Sequence, residues 1–282
     1  MPAFDTPQPI VATVEVGVGD VRIAASERDD TVVEVRPSHP DKADDMLAAE
    51  QTRVEFTGGR LLVKAPKSWK RWSPFSDGGS VEVSIELPAG SQLIVSSGVA
   101  SVRGTGTLAA TRLASGGGDV HLERTGTLRA RSGFGDLEIE HVAGDADITT
   151  GSGTAHIGAI DGSARIKNSN GDSWVGLAGK DLRINSANGN IVVDRADGTV
   201  VVKTANGDVR LGAVTRGAVV AETGRGGLEI GIPDGTAAYL DLHTHFGRVD
   251  SELEGSEAPE TRTATVEVRA RTGFGDIWVR RA

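Results

Sequence analysis

Glycine returns at a fixed interval in this chain: Gly153, Gly171, Gly189 and Gly207 are 18 residues apart, and their neighbours repeat with them. A period of this length marks stacked units, each able to bury its apolar side only against the next. The aligned blocks read SGGGDVHL at 115–122, SGFGDLEI at 132–139, TGSGTAHI at 150–157, NSNGDSWV at 168–175, SANGNIVV at 186–193 and TANGDVRL at 204–211. The spacing then loosens through Gly226 and Gly247 to Gly275, where TGFGDIWV at 272–279 restores the pattern. An early copy lies at 14–23 and a degenerate one at 97–102.

Each block resolves into two strands and a corner. After the glycine, Val120/Leu122, Leu137/Ile139, Ile191/Val193, Val209/Leu211 and Ile277/Val279 alternate with polar or variable residues, the period of a strand with one inward face. Before it, Leu128/Ala130, Ala146/Ile148, Ala164/Ile166, Leu182/Ile184 and Val200/Val202 do the same. At the corner, Ser115, Ser132, Thr150, Asn168, Ser186, Thr204, Thr223, Thr244 and Thr272 form a column of small hydrogen-bonding side chains. The glycine three residues on suits a sharp bend or a positive φ.

Two all-β folds satisfy this pattern. In a parallel β-solenoid (β-helix) of about nine or ten coils, each strand pairs with its equivalent one unit later, about 4.8 Å away. In an antiparallel meander of hairpins, Asn170-Gly171, Asn188-Gly189 and Asn206-Gly207 are two-residue turns. The solenoid is preferred, because a meander does not require the corner column to recur so faithfully. With aromatics at 4% of the chain and 38 glycines, a narrow core of Val, Ile, Leu and Ala fits that choice.

Residues 1–95 read as the first repeat strands plus a non-repetitive, β-rich N-terminal cap, and 96–282 as the solenoid domain. Within the cap, strands are expected at 31–35, 52–56, 60–64 and 80–87, with one short helix in 40–51. An acidic loop covers 251–263, and Trp278 with Arg280 and Arg281 is expected to close the far end of the tube.

The chain has no cysteine, which excludes disulfides and thiolate metal sites. The start carries no basic, apolar leader and no stretch reaches transmembrane length, so a cytoplasmic protein without a transmembrane segment is expected. A formal charge of -9 argues against nucleic acid as a partner.

Four groups of residues invite a functional reading. The corner acids Asp119, Asp136, Asp172, Asp208 and Asp276 have the Gly-Asp flavour of calcium repeats, but Thr154, Asn190, Gly227 and Arg248 break the row, and bonding to their own turn is the preferred reading. Asp241, His243 and His245 share one strand face and are weak metal candidates; no metal or other cofactor is expected. A basic stripe, Arg129, Arg131, Arg165, Lys167 and Arg183, with Arg112 and Lys203 along it, offers cations to an anionic surface; Asp147, Glu222 and Asp241 interrupt it, and charge that only keeps the sheet soluble is the alternative. Finally, residues 64–75 carry two of the four tryptophans, and Trp69, Lys70, Arg71, Trp72 and Phe75 suit a partner-binding loop or a lid.

The Ser/Thr/Asn-x-x-Gly-Asp-apolar-x-apolar blocks, with the entry strand VEVSIELPAG at 81–90, resemble the bacterial "putative adhesin" family of β-strand-repeat proteins of unknown function, common in actinobacteria and firmicutes. The resemblance covers residues 10–281 and implies a solenoid-like fold without an established activity. No nucleophile, phosphate loop or triad is visible. Glu123, Arg124, Glu138 and Glu140 on one outward side are the nearest approach to a carbohydrate-active β-helix enzyme, but coils that stay short and regular through Val214 leave little to enclose a substrate. The expectation is a non-enzymatic binding or assembly scaffold for an unidentified protein or an anionic surface. A self-associating, bactofilin-like structural protein is the alternative.

Overall fold

The computed structural model describes residues 2–66, 79–253 and 264–282. They form two compact units, Met1–His141 and Val142–Ala282. Both are parallel β-solenoid.

In the first unit the strand Val11–Ser26 runs parallel to Gln92–Leu108, from Val11 opposite Gln92 to Ala25 opposite Gly106. Two shorter strands laid end to end cover its other side, Arg60–Lys64 beside 11–15 and Ser80–Pro88 beside 18–26. Beyond these the direction reverses. Arg53–Thr57 is antiparallel to Arg60–Lys64, Asp30–Pro37 to Ser80–Pro88, and Ala3–Asp5 to Asp30–Pro37. Every strand expected in the cap is present within a residue or two. The parallel stack therefore ends in a short antiparallel cap with edges only three and five residues long, which limits further strand addition.

The expected helix is Ala43–Gln51, with Asp44 and Asp45 in its first turn, where carboxylates suit the positive end of the helix dipole. It packs on Asp30–Pro37 and Ser80–Pro88. Asp45 is 4% exposed and fastens the helix to the first residue of Ser80–Pro88 and to the bend that follows Asp30–Pro37. Its carboxylate accepts the Ser80 N–H at 2.9 Å, the His39 N–H at 3.1 Å and His39 Nδ1 at 2.9 Å. The Ser80 N–H above all, with His39 beside it, outweighs burial and holds the Asp45 carboxyl below the usual carboxylate range.

In the second unit the rungs stack in register: Ala164 lies opposite Ala146 and Leu182, and Ser173 opposite Ala155 and Ile191. The inward columns are dry, with Ile148, Ile166, Ile184 and Val202 all at 0% exposure. Burying each such side chain contributes about 1.5–3 kcal/mol against conformational entropy. Parallel pairing removes the meander, and the Asn-Gly pairs lie at corners rather than hairpin tips. The corner glycines take positive φ, +138° at Gly189 and +143° at Gly207. A Cβ on Gly189 would come within 2.1 Å of the Gly171 carbonyl oxygen in the rung before it.

The far rungs are out of chain order. Gly217–Arg225 pairs with Ala264–Phe274, which in turn pairs with Thr236–Phe246; likewise Leu228–Ile232 pairs with Ile277–Arg281, and that with Val249–Ser251. The expectation that Trp278, Arg280 and Arg281 close the tube is therefore corrected: their coil lies inside the stack and the 236–251 coil is outermost. Packing explains the order. The inner coil buries Val266, Val268, Ala270, Ile277 and Val279 to 1% exposure or less, whereas Leu240 and Leu242 point inward from the outer coil and stay half-buried.

Gly189→Ala should lower stability by at least about 2 kcal/mol in denaturant titration, because the close carbonyl and the φ both oppose a side chain. Gly58→Ala, at φ +59° with open space around it, should cost less. Asp45→Asn should cost about 2 kcal/mol at neutral pH. A carboxyl held low in the fold contributes fully above its unfolded value of about 3.9 and loses that contribution as pH falls toward the folded value. The acid limb of the wild type below about pH 4 should therefore be steeper than that of Asp45→Asn, read by circular dichroism.

Candidate interaction surfaces

The corner acids are spent on the stack. The Asp119 Oδ1 accepts the Asp136 N–H at 2.9 Å, Asp172 the Asn190 N–H at 2.7 Å, Asn190 the Asp208 N–H at 2.9 Å, Asp208 the Gly227 N–H at 2.7 Å, and Asp276 the Arg248 N–H at 2.7 Å. They bond the equivalent residue of an adjacent rung rather than their own turn, which corrects the turn-local expectation. Asp145 and Asp181 do the same, toward the Ser163 and Thr199 N–H groups. Asparagine serves as well as aspartate here because an Oδ1 acceptor is all that is needed.

The small polar column likewise bonds mainly to backbone. Thr204, Thr223 and Thr272 donate to the carbonyls of Gly189, Gly207 and Gly226 at 3.3, 2.9 and 3.0 Å, and Asn168 to Gly153 at 3.0 Å. Ser97 to Ser115 at 2.9 Å is a bond between two of these side chains. A second, outer ladder runs from Asn206 to Asn188 to Asn170 at 3.0 and 2.9 Å.

Asp241, His243 and His245 do share the outward side of Thr236–Phe246. The Asp241 carboxylate, however, meets Arg269 at 3.1 Å and Arg271 at 3.7 Å, and the two imidazoles pack edge to face with centroids 5.1 Å apart. Among the described residues no group of three or more His, Asp or Glu has a metal-holding arrangement. These residues instead line an open groove of about 1010 Å³ with Lys203, Glu222 and Arg271, floored by Ala205, Gly224 and Gly273. Lys203 and Glu222 pair at 2.7 Å, so the groove's charges largely neutralise one another.

The basic stripe divides between the units. In the first, Arg129 lies level with Arg112, and Arg131 with Ala114. In the second, Arg165 lies level with Arg183, and Lys167 with Asn185. Arg165, Lys167 and Arg183 are exposed and make no ion pair among the described residues. Trp69, Lys70, Arg71, Trp72 and Phe75 lie outside the described residues, as does most of the 251–263 loop.

Three outward carboxylates of the first unit, Glu123, Glu138 and Glu140, have partners. Glu123 accepts the Gly106 N–H at 2.8 Å, while His121 holds Glu138 at 3.1 Å and Glu140 at 3.7 Å. A shallow cleft of about 400 Å³ nearby is lined by Asp20, Arg22, Arg103, Asp119 and His121 among others.

Sequence reasoning missed the exposed apolar surface of the outermost coil. Tyr239 is 61% and Phe246 66% exposed, and Phe246 stacks on Phe274 with centroids 4.9 Å apart. The signal was present: Phe274 and Phe246 occupy the corner position that Asn170, Asn188 and Asn206 hold in earlier rungs.

A family model described as Toastrack DUF4097 matches residues 12–175. No curated protein matches the chain. Among solved structures it is similar to a "putative cell adhesion protein" from Clostridium sporogenes, at 11% identity over 100% of this chain and 98% of that one, TM-score 0.21. It is also similar to a "putative adhesin" from Bacteroides fragilis, at 12% identity over 99% of this chain and 96% of that one, TM-score 0.30.

If the corner acids serve the backbone, calcium and zinc should leave the melting temperature unchanged, since a ligand of the native state raises it. Asp172→Ala should lower it by roughly 2–4 °C in the same assay.

Proposed function

The chain belongs to the Toastrack DUF4097 family, and on that premise we propose that it is a non-enzymatic binding scaffold whose sheet face holds an anionic partner. One observation carries the reading: Arg165, Lys167 and Arg183 are exposed on a parallel sheet face and make no ion pair among the described residues, with Asp147 level with Arg165, in a chain whose formal charge is -9. Neighbouring strands about 4.8 Å apart, and alternate residues about 6–7 Å apart, set these cations as a fixed triangle. Each lies within the Debye length of about 8 Å at physiological salt, so a polyvalent anion meets them together. Arg165 and Arg183, level with each other on adjacent rungs, gain from such a ligand.

The absence of catalysis is part of the same proposal. It is supported by the occupation of Glu123, Glu138 and Glu140 with other contacts, and by rungs that place side chains on open faces. The tryptophan-rich segment, with Trp69, Lys70, Arg71, Trp72 and Phe75, is proposed as a second contact on its composition alone. Self-assembly is a second reading, favoured by the outermost coil of the second unit.

Vesicles containing phosphatidylglycerol should pellet the wild-type chain, with binding that weakens as salt rises. The triple variant Arg165→Glu, Lys167→Glu, Arg183→Glu should lose at least tenfold in affinity at an unchanged melting temperature. Trp69→Ala with Trp72→Ala, tested separately, reads the loop's share. Equal capture of wild type and triple variant would overturn the cationic surface.

A further inference from the structure

The second unit ends in an open rung. Thr236–Phe246 pairs with Ala264–Phe274 on one side, and among the described residues no strand pairs with the other. Its outward residues are Tyr239, Asp241, His243 and His245; its inward Leu240 and Leu242 are half-buried, although Val268 and Ala270, level with them in the next rung, are at 0% exposure. An eleven-residue edge with apolar side chains at its inner face is a template for another strand. The outer strands of the cap in the first unit are three and five residues long and antiparallel to their neighbours, so they offer no matching edge for head-to-tail growth.

We infer that the occupant of this edge is the same edge of a second copy, paired antiparallel about a two-fold axis through Leu242. Edge-to-edge pairing with the axis normal to the sheet keeps both interiors on one side, so Leu240 and Leu242 of each copy close the other's half-open core. The register is selected by charge. Centred on residue 241 it would oppose Asp241 to itself, and centred on 243 it would oppose imidazole to imidazole. Centred on Leu242, it sets Asp241 opposite His243 of the second copy and Tyr239 opposite His245, each contact made twice by symmetry. Directly opposed cross-strand pairs of this kind contribute, and like charges there oppose pairing. Arg269 and Arg271, already beside Asp241, lie on the rung behind and do not block the edge. The inference extends the scaffold reading, since a dimer doubles the array of cations, and it replaces an open-ended filament with a closed pair.

The chain has no cysteine, so a single introduced thiol reports the register cleanly. Opposed residues of an antiparallel pair have Cα atoms about 4.5–5.5 Å apart, within disulfide reach. Leu242→Cys should therefore form an interchain disulfide under mild oxidation. Leu240→Cys, about 13 Å from its own mate in this register, should not. Light scattering should give a dimer for the wild type, and His243→Asp, an exposed change compatible with folding, should raise its dissociation constant on the order of tenfold. Exchanging the pair, Asp241→His with His243→Asp, should restore dimerisation, because position 243 lies level with Arg271, which receives the moved carboxylate. A monomer at tens of micromolar would overturn the inference. So would a dimer indifferent to His243→Asp, or cross-linking at 240 as efficient as at 242. A monomeric chain that still binds anionic vesicles through Arg165, Lys167 and Arg183 would sink the dimer alone; a dimer that ignores such vesicles would sink only the cationic surface.

Discussion

In the second unit the corner backbones of successive rungs approach closely, and that distance governs the rest. A Cβ at Gly171, Gly189, Gly207, Gly226 or Gly275 would lie 2.0 to 2.3 Å from the carbonyl oxygen of the corner glycine in an adjacent rung. Glycine is thus required twice over, for the left-handed backbone and for the contact. Once the corners nest at strand spacing, equivalent residues must lie level, and the sorting of side chains into inner and outer columns follows. The polar column then completes the corner. Thr204, Thr223, Thr272 and Asn168 satisfy the glycine carbonyls while Asp172, Asn190 and Asp208 satisfy backbone N–H groups on the other side. Unpaired main-chain groups at a buried bend would otherwise each cost about 1–3 kcal/mol.

This arrangement explains why the apparent ion-binding letters do not act as such. A repeating Gly-Asp pair presents a line of oxygens, but the Oδ1 of Asp119, Asp172, Asp208 and Asp276 is aimed at the adjacent rung's N–H and away from a common centre. Calcium needs six or more oxygens converging on one point. The interchange of aspartate with asparagine at position 190 fits an acceptor's role and leaves a cation with less charge to hold it.

The solenoid was legible in the letters because its period is both local and repeated. The 18-residue spacing named the units, and two-residue alternation named the inward columns, from Ala146/Ile148 to Val200/Val202. The order of the last coils was not legible. Repeat similarity says which segments are alike, and where connections lengthen, as at 252–263, it no longer says which are neighbours; burial of Val266, Val268 and Ile277 decides that, and burial is a property of the assembled stack. Asp45 escaped notice for a related reason. In an acidic helix it reads as one more solvated carboxylate, and only the tertiary placement of Ser80 and His39 makes it a fastener.

The same stacking rule sets what a surface on this fold can be. Rungs deliver side chains at fixed intervals, so a face is a lattice of positions rather than a pocket, and its chemistry is decided column by column. Where columns alternate in sign, as with Lys203 beside Glu222, the charges cancel across one strand spacing. Where they do not, as with Arg165 beside Arg183, two cations stand one strand spacing apart, with Asp147 level with Arg165 on the other side, and an outside anion adds what the column lacks. An end rung is the other place where the lattice is incomplete, since its inward residues lack the layer that completes every interior coil. A lattice of this kind therefore has two ways to recruit a partner, through unmatched columns on its faces and through an uncovered final layer, and this chain carries one of each in its second unit.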